Sequence, residues 1–521
     1  MRTAKNPIVE GFYSDWSVVR VGGDYYAATS TFEWFPGVAL LHSKDLEHWE
    51  TLPSILQDDG LVDLRGLDSA CAIWAPNLTW CDGLFYLAYT IVYTGRYRFK
   101  DTHNFLITSP SPTGPWSKPV FLNCSGFDPS IFHAEDGRKY LVNQTMEHRT
   151  RYPRFRGISV QEYDPVSQKL LGEPKIVFRG TERGTTEGPN LLKKGDWYYL
   201  TVAEGGTEFG HCVQVTRSKT IWGPFEPDPD GPMLSSSNQD WPLQRAGHGQ
   251  FFQGSDGGWY LAHLCSRPID GKWSVLGREA AIQNIVWNRD GWPRLDNEGA
   301  SILPSLEFRL PETAPEIYPQ PPALTLFSKG IPDEFVTLRQ SWRHSGISLE
   351  ERPGWLRIHG GNSLSSRYFQ GLLAHRITKL HCAVSTKMQF SPRNINHMAG
   401  LLCYYNNDNY HYLVMSRGEN GIPTLTITTC ENGTVEDVFV FSIAEGIVEI
   451  WLKAEIDGKK LQFSYSLDGQ DYQASGPVLD MTLLSDEHVN GNGFTGAMAG
   501  ICCQDLQGDG VFADFEWFCY E

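Results

Sequence analysis

Five times in the first half of this chain a glycine-bearing turn runs straight into aromatic residues. The five are Gly23-Asp24-Tyr25-Tyr26, Gly83-Leu84-Phe85-Tyr86, Gly137-Arg138-Lys139-Tyr140, Gly195-Asp196-Trp197-Tyr198 and Gly258-Trp259-Tyr260. From Tyr26 to Tyr86, Tyr140, Tyr198 and Tyr260 the steps are 60, 54, 58 and 62 residues. A turn followed by an aromatic run is the returning half of a β-hairpin, and a hairpin unit repeated at this length marks the blades of a β-propeller. Blades are radial, so equivalent inner-strand positions converge on one axis. Located 11 or 12 residues before the tyrosines stand Asp15, Ala75, Asp128, Glu187 and His248, each ahead of a short apolar segment. Singly, such residues beside Gly and Pro read as turn or cap residues. Turn residues have no reason to share a phase, and four ionisable groups round one pit do.

The order of strands repeats as well. Ser43-Lys44-Asp45-Leu46-Glu47-His48-Trp49 is echoed by Ser109 to Trp116 and by Ser218 to Phe225, each after its tyrosine, where the outer strands of a blade belong. Arg96 to Lys100 and Arg149 to Phe155 interrupt the apolar pattern with basic and aromatic residues, as loops on one face of a propeller would. The propeller is expected over residues 1–310. A proline-rich linker follows at 311–325, where Pro311, Pro315, Pro319, Pro321 and Pro322 favour extended chain. Over 326–521 the period changes to two: Ile450, Leu452, Ala454 and Ile456 alternate with mainly polar residues, Asp457-Gly458 turns the chain, and Leu461, Phe463 and Tyr465 alternate back. The expected fold is all-β, a five-bladed β-propeller followed by a jelly-roll, concanavalin-like β-sandwich.

Charge narrows the partners. A net charge of -17 without a basic run excludes nucleic acid as an expected partner. No stretch of 18 apolar residues points to a membrane, and Met1 to Pro7 lack the apolar core of a signal peptide, so a cytoplasmic location is expected. Eleven cysteines without a C-x-x-C pair read as reduced thiols rather than a disulfide framework or a zinc site. No metal motif and no Ser-His-Asp arrangement is evident, which leaves the facing carboxylates as the chemistry. Hydrolysis of a glycosidic bond needs one carboxyl protonated, to give a proton to the leaving oxygen, and another ionised, to act on water or carbon. A third carboxylate would raise the acid's pKa, and Arg278 would keep an anion ionised. Asp15, Asp128 and Glu187 can fill these roles, and spacing alone does not say which fills which.

Many phrases in order then carry a resemblance over nearly the whole chain. They include Asn6-Pro7-Ile8, Thr29 to Gly37, Ile73-Trp74-Ala75-Pro76, Phe127-Asp128-Pro129-Ser130, Thr186-Glu187-Gly188-Pro189, Ala203 to Thr207, Ala246-Gly247-His248-Gly249, Leu276-Gly277-Arg278-Glu279 and Gly493-Phe494-Thr495-Gly496. Together they resemble the β-xylosidases of glycoside hydrolase family 43. The resemblance implies an inverting exo-enzyme that releases xylose from the non-reducing end of β-1,4-xylo-oligosaccharides, with Asp15 as base, Glu187 as acid and Asp128 as pKa modulator. It further implies that Phe32, Trp74 and Phe494 wall the sugar pocket, that Arg278 is a polar clamp and that His248 is the axial histidine. No cofactor is expected to be required, with a Ca²⁺ or other ion near His248 left open, as is a homo-oligomer. One departure stands out: where the family usually reads Asn-Pro-Asp-Pro-Ser, this chain has Tyr13-Ser14-Asp15-Trp16-Ser17. Trp16 bears on the shape of the pocket wall and so on the choice between xylose and arabinose. The competing readings are an α-L-arabinofuranosidase, alone or bifunctional, and a glycan-binding propeller without catalysis.

Overall fold

The computed structural model describes residues 2–58, 60–95, 97–297, 301–312, 318, 321–419 and 421–521. Residues 313–317, 319 and 320 of the expected linker, and Arg96 of the first insertion, lie outside them. Five four-stranded antiparallel blades are built on the inner strands Ser17–Val21, Ala72–Cys81, Ser130–His133, Glu187–Lys194 and Gln244–Gln253; the fourth blade adds a short strand, Leu234–Ser235. Each inner strand pairs with a strand carrying the repeat's aromatics, and these rings fill the spaces between blades: Tyr26 meets Phe85 edge-on at 5.4 Å, and Phe132 meets Tyr198 at 6.0 Å. The chain's start closes the ring, with Ile8 donating its N–H to the Ala280 carbonyl at 2.8 Å and Tyr13 its N–H to that of Arg278 at 3.0 Å, both in the fifth blade.

Two details of the repeat differ from the sequence reading. The echoed Ser43–Trp49, Ser109–Trp116 and Ser218–Phe225 phrases are turns joining the third and fourth strands of their blades rather than strands. Asp45 shows why: its carboxylate accepts the backbone N–H groups of Glu47 and His48 at 2.9 and 2.8 Å and caps the turn locally. In the fourth blade the residue in phase with Asp15 and Asp128 is Gly188, and the tyrosine in phase with Tyr26 and Tyr140 is Tyr199. Ser17, Ser130 and Asn190 pair at equivalent points with Ala28, Val142 and Thr201. A bulge between Glu187 and Asn190 shifts the register there, as bulges do between Trp74 and Asn77 and between Gly247 and Gln250, and in the fourth blade the ionisable residue stands one place before the shared phase.

The second half forms two eight-stranded sheets packed face to face. One runs through Phe512–Tyr520, His381–Phe390 and Glu449–Asp457; the other through Pro423–Glu431, His397–Asn406 and Met498–Asp505. The alternation of Ile450, Leu452, Ala454 and Ile456 points into the space between them, where all four are buried. No helix is long and apolar enough to cross a membrane.

Propeller and sandwich are not separate bodies joined by a tether. Trp34–Phe35, from the first blade, pairs with Phe335–Leu338 as the edge strand of a sandwich sheet, and a single apolar cluster runs from Phe32, Trp34 and Trp74 to Leu372, Tyr404 and Met498. Two arginines in left-handed backbone conformation stitch the seam. Arg339 (φ 64) is fully buried and gives its guanidinium to the Leu67 carbonyl, Gln370 and Asn407 at 2.7 to 3.1 Å. Arg245 (φ 56) is buried against Asp486 at 2.7 Å and Glu487 at 3.0 Å of the sandwich. At Gly277 the two backbones touch: φ is +73, and a Cβ there would stand 1.9 Å from the Thr495 carbonyl oxygen.

Two outcomes are expected. Gly277→Ala should cost more than the ~1–2 kcal/mol of an alanine in left-handed backbone, because the sandwich must also retreat; a chemical denaturation midpoint no lower than that of the parent would contradict this. Arg245→Met strands two carboxylates in the seam and should destabilise by about 3 kcal/mol, with Arg245→Met/Asp486→Leu recovering part of the loss in the same measurement.

Candidate active site

At the propeller axis a cavity of ≈ 710 Å³ opens on the side covered by the sandwich. It collects the residues expected to catalyse or to hold the sugar: Asp15, Asp128 and Glu187, Phe32 and Trp74, His248, Arg278 and Phe494. The repeat explains the convergence. Asp15, Asp128 and His248 each hold φ near 52–53° at the same phase of their blades, just before the inner strand for the two aspartates and at a bulge within it for His248, a strained conformation for residues with a Cβ that turns each side chain to the axis. Gly188 (φ 59) serves this place in the fourth blade, where a Cβ would meet the His248 ring at 2.9 Å.

Asp15 is enclosed by donors. Arg278 approaches it with both terminal nitrogens, Nη1 to Oδ1 at 3.1 Å and Nη2 to Oδ2 at 3.3 Å. The Ser30 hydroxyl donates to Oδ2 at 2.7 Å, and His248 Nδ1 lies 3.3 Å from Oδ1. Burial alone would raise this carboxyl, but Arg278, then His248 and Ser30, outweigh it and hold it far below the usual carboxylate range. His248 answers in kind: burial lowers it, Asp15, Asp128 and Glu187 pull it up, and the net shift is upward.

The other two carboxyls move the opposite way. Glu187 makes no hydrogen bond among the described contacts, and burial, then the charge of Asp128, push it up to about 7. Asp128 accepts the Gly188 N–H at 2.9 Å; burial, then the charge of Asp15, raise it to about 6 against the pull of His248 and that hydrogen bond. Of these two coupled groups, the one without a donor keeps the proton. One pocket therefore holds a carboxylate locked in its ionised form and a carboxylic acid retaining its proton near neutrality, the pair that acid–base cleavage at a single bond requires.

The apolar wall is aromatic and partly borrowed. Phe32 and Trp74 come from the first two blades, and Phe127, beside Asp128, stands edge-on to Trp74 at 5.3 Å. Phe494 leaves the sandwich to pack at 5.7 Å from Phe32 and 5.4 Å from Trp74. Its carbonyl accepts from Arg278 Nη2 and Nε at 3.1 and 3.2 Å, so one guanidinium grips both the Asp15 carboxylate and the sandwich loop. Trp16 does not line this cavity, contrary to the expectation from its place beside Asp15. It is 1 % exposed and packs outward on Trp49 at 5.0 Å, because successive residues of an extended chain point to opposite sides. No cluster of three His, Cys, Asp or Glu ligand atoms forms round His248 among the described residues; the one that forms is Asp45, Glu47 and His48 in an outer turn.

The sequence reading passed over three groups as individual residues. Ser30 sits inside the quoted Thr29 to Gly37 phrase. Glu204, fully buried, accepts Thr181 N–H at 2.8 Å and the Thr186 hydroxyl at 3.0 Å, anchoring the loop that leads to Glu187. Lys100 places its ammonium 4.6 Å from the centroid of Trp74.

With this geometry the comparisons with known proteins can be read. The profile described as "Glycosyl hydrolases family 43" matches residues 4–293, and that of the "Beta xylosidase C-terminal Concanavalin A-like domain" matches residues 327–521. The chain belongs to glycoside hydrolase family 43. A solved structure, the xylan β-1,4-xylosidase from Bacillus halodurans C-125, superposes with a TM-score of 0.97 at 43 % identity, covering 99 % of this chain and 100 % of that one. Xylan 1,3-β-xylosidase from a Vibrio species is 40 % identical over 99 % of both chains. Xylosidase/arabinosidase 43B from Humicola insolens is 40 % identical over 100 % of this chain and 98 % of its own length. The family 43 enzyme described here thus matches these relatives along propeller and sandwich alike.

Charge and closure at this site can be tested separately. Arg278→Met removes the main lowering influence on Asp15, so the acidic limb of the activity profile should move to higher pH; an unmoved limb would mean that Asp15 does not set it. Phe494→Ala should raise KM for a disaccharide several-fold with the fold unchanged by circular dichroism. Burial also makes Glu187 costly once ionised: its folded pKa lies above its ordinary value, so folded-state stability is lost as pH rises from about 4.5 to about 7. Glu187→Gln should accordingly raise the melting temperature at pH 8, by the equivalent of roughly 1–3 kcal/mol, and have little effect at pH 4.

Proposed function

We propose that this chain is an inverting exo-glycosidase that takes single xylose units from the non-reducing end of β-1,4-xylo-oligosaccharides. The observation that carries the reading is the opposed ionisation of Asp15 and Glu187 in one pocket closed by a second domain. A terminal sugar fits between Phe32, Trp74, Phe127 and Phe494, whose rings offer apolar faces to its C–H groups. Glu187, still protonated near neutrality, gives its proton to the glycosidic oxygen as the C–O bond breaks. Asp15, ionised, takes a proton from a water whose oxygen attacks the anomeric carbon from the opposite face, so the product is α-xylose. Asp128 holds Glu187's pKa up through its charge and pins the Gly188 N–H. Closure by the sandwich limits the depth of insertion to a chain end and excludes bulk water from the reacting bond.

The relatives' names separate two further questions, linkage and sugar. The Vibrio protein is named for β-1,3 and the Bacillus one for β-1,4 linkages, and the Humicola protein for both xylose and arabinose. A furanose can present similar faces to the same aromatic walls, which favours an α-L-arabinofuranosidase side activity.

Turnover should be highest on β-1,4-xylobiose, lower on β-1,3-xylobiose and on an aryl α-L-arabinofuranoside; no cleavage of any xylobiose would sink the proposal. In an NMR time course the first xylose should be the α-anomer, and a β-configured first product would rule out the assignment of Asp15 as base. Glu187→Gln should lower kcat on xylobiose by roughly 10²–10⁴ and much less on an aryl xyloside with a good leaving group, which needs little protonation. An equal loss on both would remove Glu187 from the role of acid.

A further inference from the structure

Two insertions meet on one side of the pocket: one between the blade-two strands Leu84–Val92 and Thr102–Ser109, the other between the blade-three strands Lys139–Met146 and Phe155–Asp164. They form a single braced lip. The Arg98 guanidinium donates to the carbonyls of His148, Arg149 and Tyr152 at 3.1, 2.6 and 2.5 Å. Arg154 Nη2 donates to the Tyr97 carbonyl at 2.8 Å, and the Phe99 ring lies parallel to His148 at 5.7 Å. The lip's cations are not equally satisfied. Arg98 is spent on carbonyls, and Arg149 pairs with Glu147 at 2.7 Å. Lys100 and Arg154, the two that reach the cavity, have no carboxylate within ion-pair distance among the described residues.

Their positions say which part of a substrate they would meet. The Lys100 ammonium is half-buried, 4.6 Å from the Trp74 centroid and 5.1 Å from that of Phe127. Burial lowers its pKa, the nearby Glu187 opposes that, and Arg154 lowers it further, so the two cations feel each other across the lip. Lys100 thus stands between the Trp74–Phe127 wall of the terminal sugar and Glu187, which faces the glycosidic oxygen in the proposed function, at the edge where the terminal sugar gives way to the leaving group, with the exposed Arg154 farther out. Glu208 lines the cavity from the fourth blade. In a chain of net charge -17, two neighbouring cations with no carboxylate in ion-pair contact among the described residues are suited to an anion brought by the ligand.

We propose that Lys100 and Arg154 form a carboxylate-recognition site on the leaving-group side of the pocket, for xylo-oligosaccharides whose second sugar carries a uronic acid. The inference rests on the proposed function for the identity of the sugar, and on the lip geometry for the charge. The acidic group is held by Arg154 in a two-pronged contact and by the Lys100 ammonium.

The test compares kcat/KM of the full chain on three substrates: xylobiose, xylobiose with an α-1,2-linked glucuronic acid on its reducing-end xylose, and the methyl ester of that acid. The ester keeps the shape and removes the charge. The acid should be preferred over the ester roughly three- to tenfold at low salt, with the preference shrinking at 0.5 M sodium chloride. Arg154→Gln and Lys100→Gln should each bring the acid-to-ester ratio towards one. Equal turnover of acid and ester by the parent, or a preference that survives both substitutions, would overturn the proposal. So would inhibition of xylobiose cleavage by inorganic phosphate that disappears in Arg154→Gln, which would make the pair a free-anion site. If xylobiose itself were not cleaved, the proposed function would fall; calorimetric binding of the acid and its ester would still decide whether the pair reads a carboxylate.

Discussion

One guanidinium joins the two halves of this enzyme to its chemistry. Arg278 lies on the fifth blade, grips both oxygens of Asp15 and accepts orientation from the Phe494 carbonyl of the sandwich. Without it the Asp15 carboxyl would have only His248 and Ser30 to set against burial and would rise towards Glu187 and Asp128. The contrast between an ionised and a protonated carboxyl in one cavity therefore depends on an arginine that the propeller supplies and the sandwich holds in place.

That dependence accounts for the character of the seam. A catalytic propeller with a detachable binding module would tolerate a wet, polar interface. Here the first blade lends Trp34–Phe35 to a sandwich sheet, Arg339 and Arg245 are buried with their partners, and the backbones at Gly277 and Thr495 touch. Buried charge of this kind adds little net stability, since desolvation offsets attraction, but it penalises every other docking arrangement. The result is a single placement of Phe494 against Phe32 and Trp74.

Strain is concentrated where the side chains must point. Asp15, Ala75, Asp128 and His248 all adopt positive φ at the same phase of their blades, and in the fourth blade Gly188 takes that role while Glu187 stands one residue earlier. The displacement has a chemical consequence. Asp128 accepts the Gly188 N–H, whereas Glu187, off that phase, makes no such bond and keeps its proton. The acid's place one residue before the shared phase and its lack of that bond belong together.

The period of the aromatic turns was sufficient to read a five-bladed ring and to place Asp15, Asp128, Glu187 and His248 round its axis, because in a propeller sequence phase and radial position are the same variable. Alternation at Ile450 to Ile456 similarly exposed a half-buried hairpin. Local pattern misled where hydrogen bonding was local: Ser43–Trp49 looked like a strand until the carboxylate of Asp45 was seen capping a turn. Trp16, adjacent to Asp15 in sequence, proved to face away from the sugar. What only the tertiary structure decided is which carboxyl is ionised. That follows from the Arg278 contacts, from the absence among the described residues of a donor to the Glu187 side chain and from the fit of a loop some 200 residues distant, and pKa is set by distance and solvent exclusion, neither of which is written in the order of residues.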